Sequence, residues 1–348
     1  MSRTTATEAP LDGAGGEMLT VMTRNLFLGA DLTPAYKALA TPGGLAGLPA
    51  IVAAIFNPTV PLGVVQRTDF RARAIALADE IEATRPDLIG VQEAAAWRAQ
   101  ELSGPGAPAA GYDHLELLQA ELGGRGLRYR VVAAVDNGDI ALPSAAGYNV
   151  GLTDRGAILA RDDGRGPVRE LSNAQTGSFV NTLPVETAHG TFALARGWAS
   201  VDARLRGGSV RFVTTHLEGA SSPAAAGAQL LQAGELIEGP AQTSLAVVML
   251  GDFNSRPGRA TYESLLAAGF DDAWTRANPG APVGLTCCHA VPLNDPADAL
   301  RSRIDLILTR GSITARQAVV VGDKPGDFRD GLWPSDHAGV VAKLELHG

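Results

Sequence analysis

Apolar and polar positions along this chain switch repeatedly between a period of two and a period near 3.6. "MLTVMTRNLFL" (Met18–Leu28) alternates and is rich in Val, Leu and Phe, which predicts a strand. Asp69–Thr84 places Phe70, Ala74, Leu77, Ala78 and Ile81 on one stripe. That spacing predicts a helix, with Thr68 or Asp69 as its N-cap. Pro86 breaks it, and Leu88–Val91 form a short buried strand running out at Gln92–Glu93. The same reading predicts helices at about 112–122, 227–239 and 261–268. It predicts strands at 129–135, 154–161, 191–205, 209–216, 247–252 and 303–310, with a last strand after "WPSDHAG".

Strands and helices interleave, and no internal repeat or domain-sized linker divides them. The fold class expected is layered α/β, with two mixed sheets between helices. Residues 1–17 are polar and Gly/Ala-rich and are expected to be disordered. Residues 18–348 form one domain. It carries an apolar insertion at about 29–66, broken by Pro34, Pro42, Pro49, Pro58 and Pro61, with "LPAIVAAIF" as a short helix. An insertion at a strand end is often a lid or binding loop. The plainer expectation is that it packs on the sheet; the other is that it covers an apolar leaving group or touches a lipid surface.

The 348 residues are 45% hydrophobic, enough for a full core. Net charge is −8, which argues against a general electrostatic grip on nucleic acid without excluding a local basic groove. Only three of the 29 basic residues are Lys, a usage that suggests a GC-rich bacterial source. No run has the length of a membrane span, and the N-terminus has no apolar signal region. The chain is therefore expected to be soluble, either cytoplasmic or the mature part of an exported protein. Cys287 and Cys288 are adjacent; two reduced thiols are expected over a vicinal disulfide, because disulfide geometry is demanding.

Candidate chemistry lies where strands stop. In "VVMLGDFNSRPG" (Val247–Gly258) an apolar run ends in Asp252 and Asn254, two apart and so on one face of a strand. Other strands end near Asn25, Glu93 and His216. Asp305 interrupts the apolar run "RIDLIL", and Asp336 and His337 precede the last strand. Carboxylate, amide and imidazole groups collected at strand ends suit a hard metal ion bound with a phosphate. Singly, each has a plainer explanation as a turn residue, a cap or a satisfied buried polar group. Their joint order is what carries weight.

The set resembles the endonuclease/exonuclease/phosphatase superfamily, the DNase I-like fold, from Met18 to the C-terminus. The motifs are "TRNLFL", "PDLIGVQEA", "TTHLEG", "GDFNSRP", "SRIDLIL" and "PSDHAGV". The resemblance implies a four-layer sandwich and a divalent-metal-dependent phosphoric ester hydrolase using Mg2+, with Mn2+ or Ca2+ as alternatives. It implies metal contacts from Asn25, Glu93 and Asp336, and catalytic roles for His216, Asp252, Asn254, Asp305 and His337. Asp305 would orient His337, while His216 and Asn254 would stabilise phosphate charge. Either Asp252 or His337 would take the proton from the attacking water.

Such a fold does not fix a substrate. The acidic net charge and 5% aromatic content disfavour a nucleic-acid platform. The expectation is therefore a phosphodiesterase acting on a small or lipid-like phosphate ester as a monomer. A nuclease is the second reading and a non-catalytic binding module the third. Asn278–Pro296 is expected to be another cleft wall, with His289 as a loop residue rather than a substrate contact.

Overall fold

The computed structural model describes residues 16–101, 110–187 and 190–347. The first half contributes β1 (Glu17–Asn25), β2 (Leu88–Gln92), β3 (Ala96–Glu101), β4 (Ala110–Asp113), β5 (Tyr129–Pro143) and β6 (Tyr148–Arg161). Next come β7 (Glu170–Ser178), β8 (Leu183–Thr187), β9 (Gly190–Leu194), β10 (Gly197–Leu205) and β11 (Gly208–His216). The last are β12 (Ala246–Asp252), β13 (Asp271–Asp272), β14 (Asp305–Arg310), β15 (Ile313–Val321) and β16 (Gly339–Leu346). An eight-stranded sheet runs β15-β16-β1-β2-β6-β3-β4, with β5 paired to β6. A six-stranded sheet runs β13-β14-β12-β11-β10-β7, and β8-β9 form a separate hairpin. Among the described residues only β1-β2 and β11-β12 pair in parallel, so both large sheets are mixed.

The helices are α1 (Thr33–Ala40), α2 (Leu48–Ile55), α3 (Val64–Arg67), α4 (Phe70–Thr84), α5 (His114–Gly124), α6 (Pro223–Glu238), α7 (Ala260–Ala267) and α8 (Ala273–Ala277). Alternation along each strand divides the core into layers. On β12, Val248 and Leu250 point between the sheets, where they join Val21, Leu88 and Phe212. Val247 and Met249 point outward to Leu236 of α6 and Leu265 of α7. On the other sheet, Ile89 and Val91 meet Leu77 of α4 and Leu118 of α5. The result is the four-layer sandwich of two mixed sheets flanked by helices.

Gly90 marks a close approach of the two sheets. A Cβ there would overlap Leu250 and Thr214 of the opposite sheet. Gly90→Ala should therefore cost about 1–3 kcal/mol, the usual range for overpacking a filled core. The measurement is the urea midpoint; an unchanged midpoint would mean that the sheets separate there at no cost.

Three expectations change. Residues 1–15 of the expected disordered tail lie outside the described residues, while Glu17 already opens β1. The single strand expected over 191–205 is two strands in different sheets, interrupted at Ala195–Arg196. The apolar insertion folds into α1, α2 and α3, and it packs on the sheet. Leu48, Val52, Ile55 and Phe56 bury against Trp97, Val150 and Leu152. Among the described residues no helix is long and apolar enough to cross a membrane.

Candidate active site

The strands that fill the sandwich core become polar at one end without changing face. On β1 the inward series is Val21, Thr23, Asn25; on β11 it is Phe212, Thr214, His216; on β12 it is Val248, Leu250, Asp252. β14 runs the opposite way, so Asp305 precedes Ile307 on that face. Register sets these residues side by side: His216 pairs with Asp252, and Asp252 lies opposite Asp305. Thr23 Oγ1 donates to Gln92 Oε1 at 3.2 Å, and Gln92 Nε2 donates to Thr214 Oγ1 at 3.0 Å. That relay ties the two sheets where the apolar core gives way to the polar end.

Asn25 Nδ2 bridges Glu93 Oε1 and Asp252 Oδ2, each at 3.2 Å. Its Oδ1 accepts from Phe27 N at 2.8 Å, which makes it a weaker prospective metal ligand than a carboxylate. Glu93 lies just past β2 with a left-handed φ of 53° and accepts from Leu28 N at 2.8 Å. Asn254 likewise sits just past β12 with φ 49°. Strand alternation therefore does not aim Asn254, contrary to expectation. A turn does, in which Asn254 N donates to Asp252 Oδ1 at 2.8 Å. The preceding Gly251 is required because a Cβ there would strike Thr215 O.

Asp305 Oδ2 lies 2.8 Å from His337 Nδ1, and His337 Nε2 lies 3.8 Å from Asp252 Oδ2. Burial alone would push the His337 imidazole down, but Asp305, Asp336 and Asp252 together hold it well above its ordinary value. His216 goes the other way: burial, Arg196 and His337 push it well below. Arg196 Nη1 reaches His216 Nδ1 at 3.1 Å and can only donate. His216 Nε2 lies 3.1 Å from Asn254 Nδ2 and 3.4 Å from Asp252 Oδ2. Burial raises the Asp252 carboxyl to about 6. Glu93 is raised to about 7, by burial first and then by Asp336 and Asp154.

The loop that carries Asp336 and His337 is tied to the end of β1. Ser335 Oγ donates to Asn25 O at 2.9 Å, and Arg73 Nη1 donates to Leu26 O at 2.7 Å and Pro334 O at 3.0 Å. Arg24 donates to His337 O and pairs with Glu80 of α4 at 2.8 Å.

Comparison with known proteins fits this geometry. The model of the endonuclease/exonuclease/phosphatase family matches residues 65–337. The chain belongs to that family. A family member from Bacteroides thetaiotaomicron superposes with a TM-score of 0.57 at 18% identity, covering 96% of this chain and 99% of that one. A mannosyl-6-phosphatase from B. thetaiotaomicron VPI-5482 gives 0.55 at 18%, covering 94% and 99%. TDP2 of D. rerio, complexed with a single-strand DNA product, gives 0.54 at 16%, covering 94% and 99%. These identities speak to the fold alone. No curated protein sequence matches the chain.

The family match begins at Val65, so Asn25 and most of the insertion lie before it. Glu93 and Asp336 line a cleft of about 650 Å³, together with Asp154, Arg196, Asn137 and Tyr36. Leu28, Leu32 and Val291 share its wall, so the insertion also reaches the cleft. His289 does not line it; it is buried with its ring stacked 4.3 Å from that of Trp333.

Sequence reasoning missed Arg196, Asp154, Arg24, Arg73, Glu80 and Gln92. Arg73 and Glu80 did carry a signal, because both fall on the apolar stripe of the predicted helix, where a charge needs a buried partner. Arg196 carried none, since it lies inside what reads as a continuous strand.

Enzymes of this family are generally divalent-metal dependent. The donor set fits such an ion. Glu93, Asp336 and Asp154 are all raised first by burial, and Asp336 and Asp154 each raise Glu93 further. Collected carboxylates of this kind are neutralised either by protons or by a hard cation. Asp252, Asp305 and His337 also lie close together. The Asp305–His337 hydrogen bond already engages that trio, which leaves Glu93 and Asp336 as the residues that would hold an ion.

Cys287 and Cys288 form a disulfide, against the expectation of reduced thiols. Their Cα atoms are 3.1 Å apart, and both side chains turn to one side.

Proposed function

We propose that this protein is a Mg2+-dependent phosphodiesterase acting on a small or lipid-like phosphate ester by in-line attack of water. The observation that carries the reading is the cluster at the strand ends of both sheets in which Asn25 bridges Glu93 and Asp252, and Asp252 and Asp305 flank His337. Glu93 and Asp336 would hold the ion, with Asn25 fixing Glu93 relative to Asp252. The bound ion supplies charge neutralisation at the phosphoryl oxygens.

The two candidate bases divide by their surroundings. Asp252, raised only to about 6, is mostly ionised at neutral pH and can take a proton from water. His337, held well above its ordinary value, is protonated and so serves as a donor to the phosphate or the leaving oxygen. Asp305 orients that imidazole through Nδ1. His216 and the Asn254 amide would stabilise charge on the phosphoryl oxygens, with Arg196 holding the His216 ring through Nδ1.

The cleft wall favours a compact ester over a long polyanion. Among the described residues Arg196 is the one basic side chain lining it, with Asp31 and Asp154 nearby and a net charge of −8 on the whole chain. The nuclease reading draws on the TDP2 neighbour with its DNA product. A hydrolysis panel separates them: bis-p-nitrophenyl phosphate, p-nitrophenyl phosphate, p-nitrophenylphosphorylcholine, sphingomyelin, plasmid DNA and RNA. Turnover of the diester and choline or lipid esters with DNA intact is expected. Plasmid cleavage with steep salt dependence would replace this reading with the nuclease.

A further inference from the structure

We propose that Cys287 and Cys288 form a redox-gated site for a soft divalent cation beside His337, distinct from the carboxylate site. The two cysteines lie in a strap laced to the catalytic loop. Ala338 N donates to Thr286 O at 2.7 Å and His289 N donates to Asp336 O at 2.8 Å. Cys287 faces His337 across an antiparallel bridge. On its other edge the strap meets the approach to β14. Cys287 N donates to Ser302 O at 2.9 Å, and Asp305 N donates to Thr286 Oγ1 at 3.2 Å. The pair thus sits between the two segments that bring Asp305 and His337 together. Both sulfurs and one imidazole nitrogen of His337 lie within 4.8 Å of one another. Cys287 is buried and Cys288 reaches solvent, which gives a reductant or an ion a way in.

As a disulfide, neither sulfur is a thiolate and the pair does not ligate. A dithiol reductant delivers two electrons and two protons to the S–S bond and is itself oxidised to a disulfide. The product is two thiols next to an imidazole. A soft cation such as Zn2+ or Cd2+ displaces both thiol protons and gains two thiolates and one ring nitrogen. Mg2+ prefers oxygen and stays with the carboxylates. Once a soft cation holds the imidazole, His337 cannot serve both Asp305 and the phosphate, and hydrolysis stops. The disulfide keeps soft metals off the catalytic histidine, and reduction exposes the enzyme to them.

The test uses the full chain and Cd2+ as probe, with saturating Mg2+ on the carboxylates. Oxidised protein is expected to show no titratable thiols. Phosphine reduction, followed by removal of the phosphine without oxygen, is expected to expose two. Only the reduced protein should then show the ultraviolet thiolate-to-cadmium band, at one equivalent. Hydrolysis should fall at least about tenfold in step with it, as expected when a catalytic acid is withdrawn. Reduction alone should leave turnover within about twofold, because among the described residues no hydrogen bond to Asp305 or His337 passes through sulfur. Cys288→Ser should lose both the band and the inhibition. His337→Ala should keep the band with at least about tenfold weaker affinity, one ligand having been removed. An absent band overturns the proposal, as does a band without inhibition or a His337→Ala affinity equal to wild type. The inhibition arm rests on the proposed hydrolysis. The thiol count, the band and its dependence on His337 do not, so the two readings can fail separately.

Discussion

Asp252→Asn should lower kcat by about a thousandfold while making the metal-free protein more stable, not less. The rate loss follows from removing the general base, whose contribution is typically 10²–10⁴-fold. The stability gain follows from burial: the Asp252 carboxyl is raised to about 6, so its charged form is penalised in the fold. An amide keeps the shape and removes the penalty. It also keeps an oxygen that accepts from Asn254 N, the bond that aims Asn254. His337→Ala should lose a similar factor in kcat with little change in KM, since the protonated ring acts late, on the leaving oxygen. The pH profile distinguishes the roles. Activity should rise with pH through about 6 as Asp252 ionises. It should fall only at pH well above the ordinary histidine range, as His337 loses its proton. Near-wild-type turnover in Asp252→Asn would remove Asp252 from the mechanism, and an unchanged alkaline limb in His337→Ala would do the same for His337.

Chelation should bring hydrolysis to background, and Mg2+ should restore it. The same ion should also change how stability depends on pH. Glu93 moves from 4.5 to about 7 in the fold, and Asp336 is raised as well. Between those values the folded protein binds more protons than the unfolded chain. Stability of the metal-free protein therefore falls as pH rises through that window, and it is greatest on the acid side. A divalent cation takes the place of those protons, so saturating Mg2+ should flatten the slope. At about a hundredfold excess over its dissociation constant it should add about 2.7 kcal/mol. Urea midpoints on either side of the window, with and without chelator, read both effects. Glu93→Gln should flatten the metal-free slope and abolish most of the Mg2+ stabilisation. A Mg2+ effect that survives in that variant would move the ion away from Glu93, most directly onto the Asp252, Asp305 and His337 trio.

Much of this site could be read in one dimension because strands ending in polar residues are unusual. A run such as Val247–Gly251 buries its whole length, so an acid at its end needs a reason. The alternation that puts Leu250 in the core also sets Asp252 against Asn25 at the polar end of the strand. The reading of Asn254 reached the right neighbourhood for the wrong reason, since its position depends on a left-handed turn that alternation cannot anticipate. Arg196 was invisible because the break between β9 and β10 is a matter of which sheet each half joins. The vicinal disulfide was misjudged because the direction of two adjacent side chains is a backbone property, not a compositional one.

The sequence alone determined the layered class, many of the long strands and helices, and the polar residues at their ends. These follow from local spacing, which depends only on neighbours along the chain. The tertiary structure decided the rest: that Asn25 lies between Glu93 and Asp252, that the buried Asp305 is partnered by His337, and that Arg196 lies against His216 Nδ1. It also sets the directions in which Asp252 and His337 are shifted from their ordinary values. The reason is that burial and charge neighbours set protonation, and both are fixed only once two sheets close on one another.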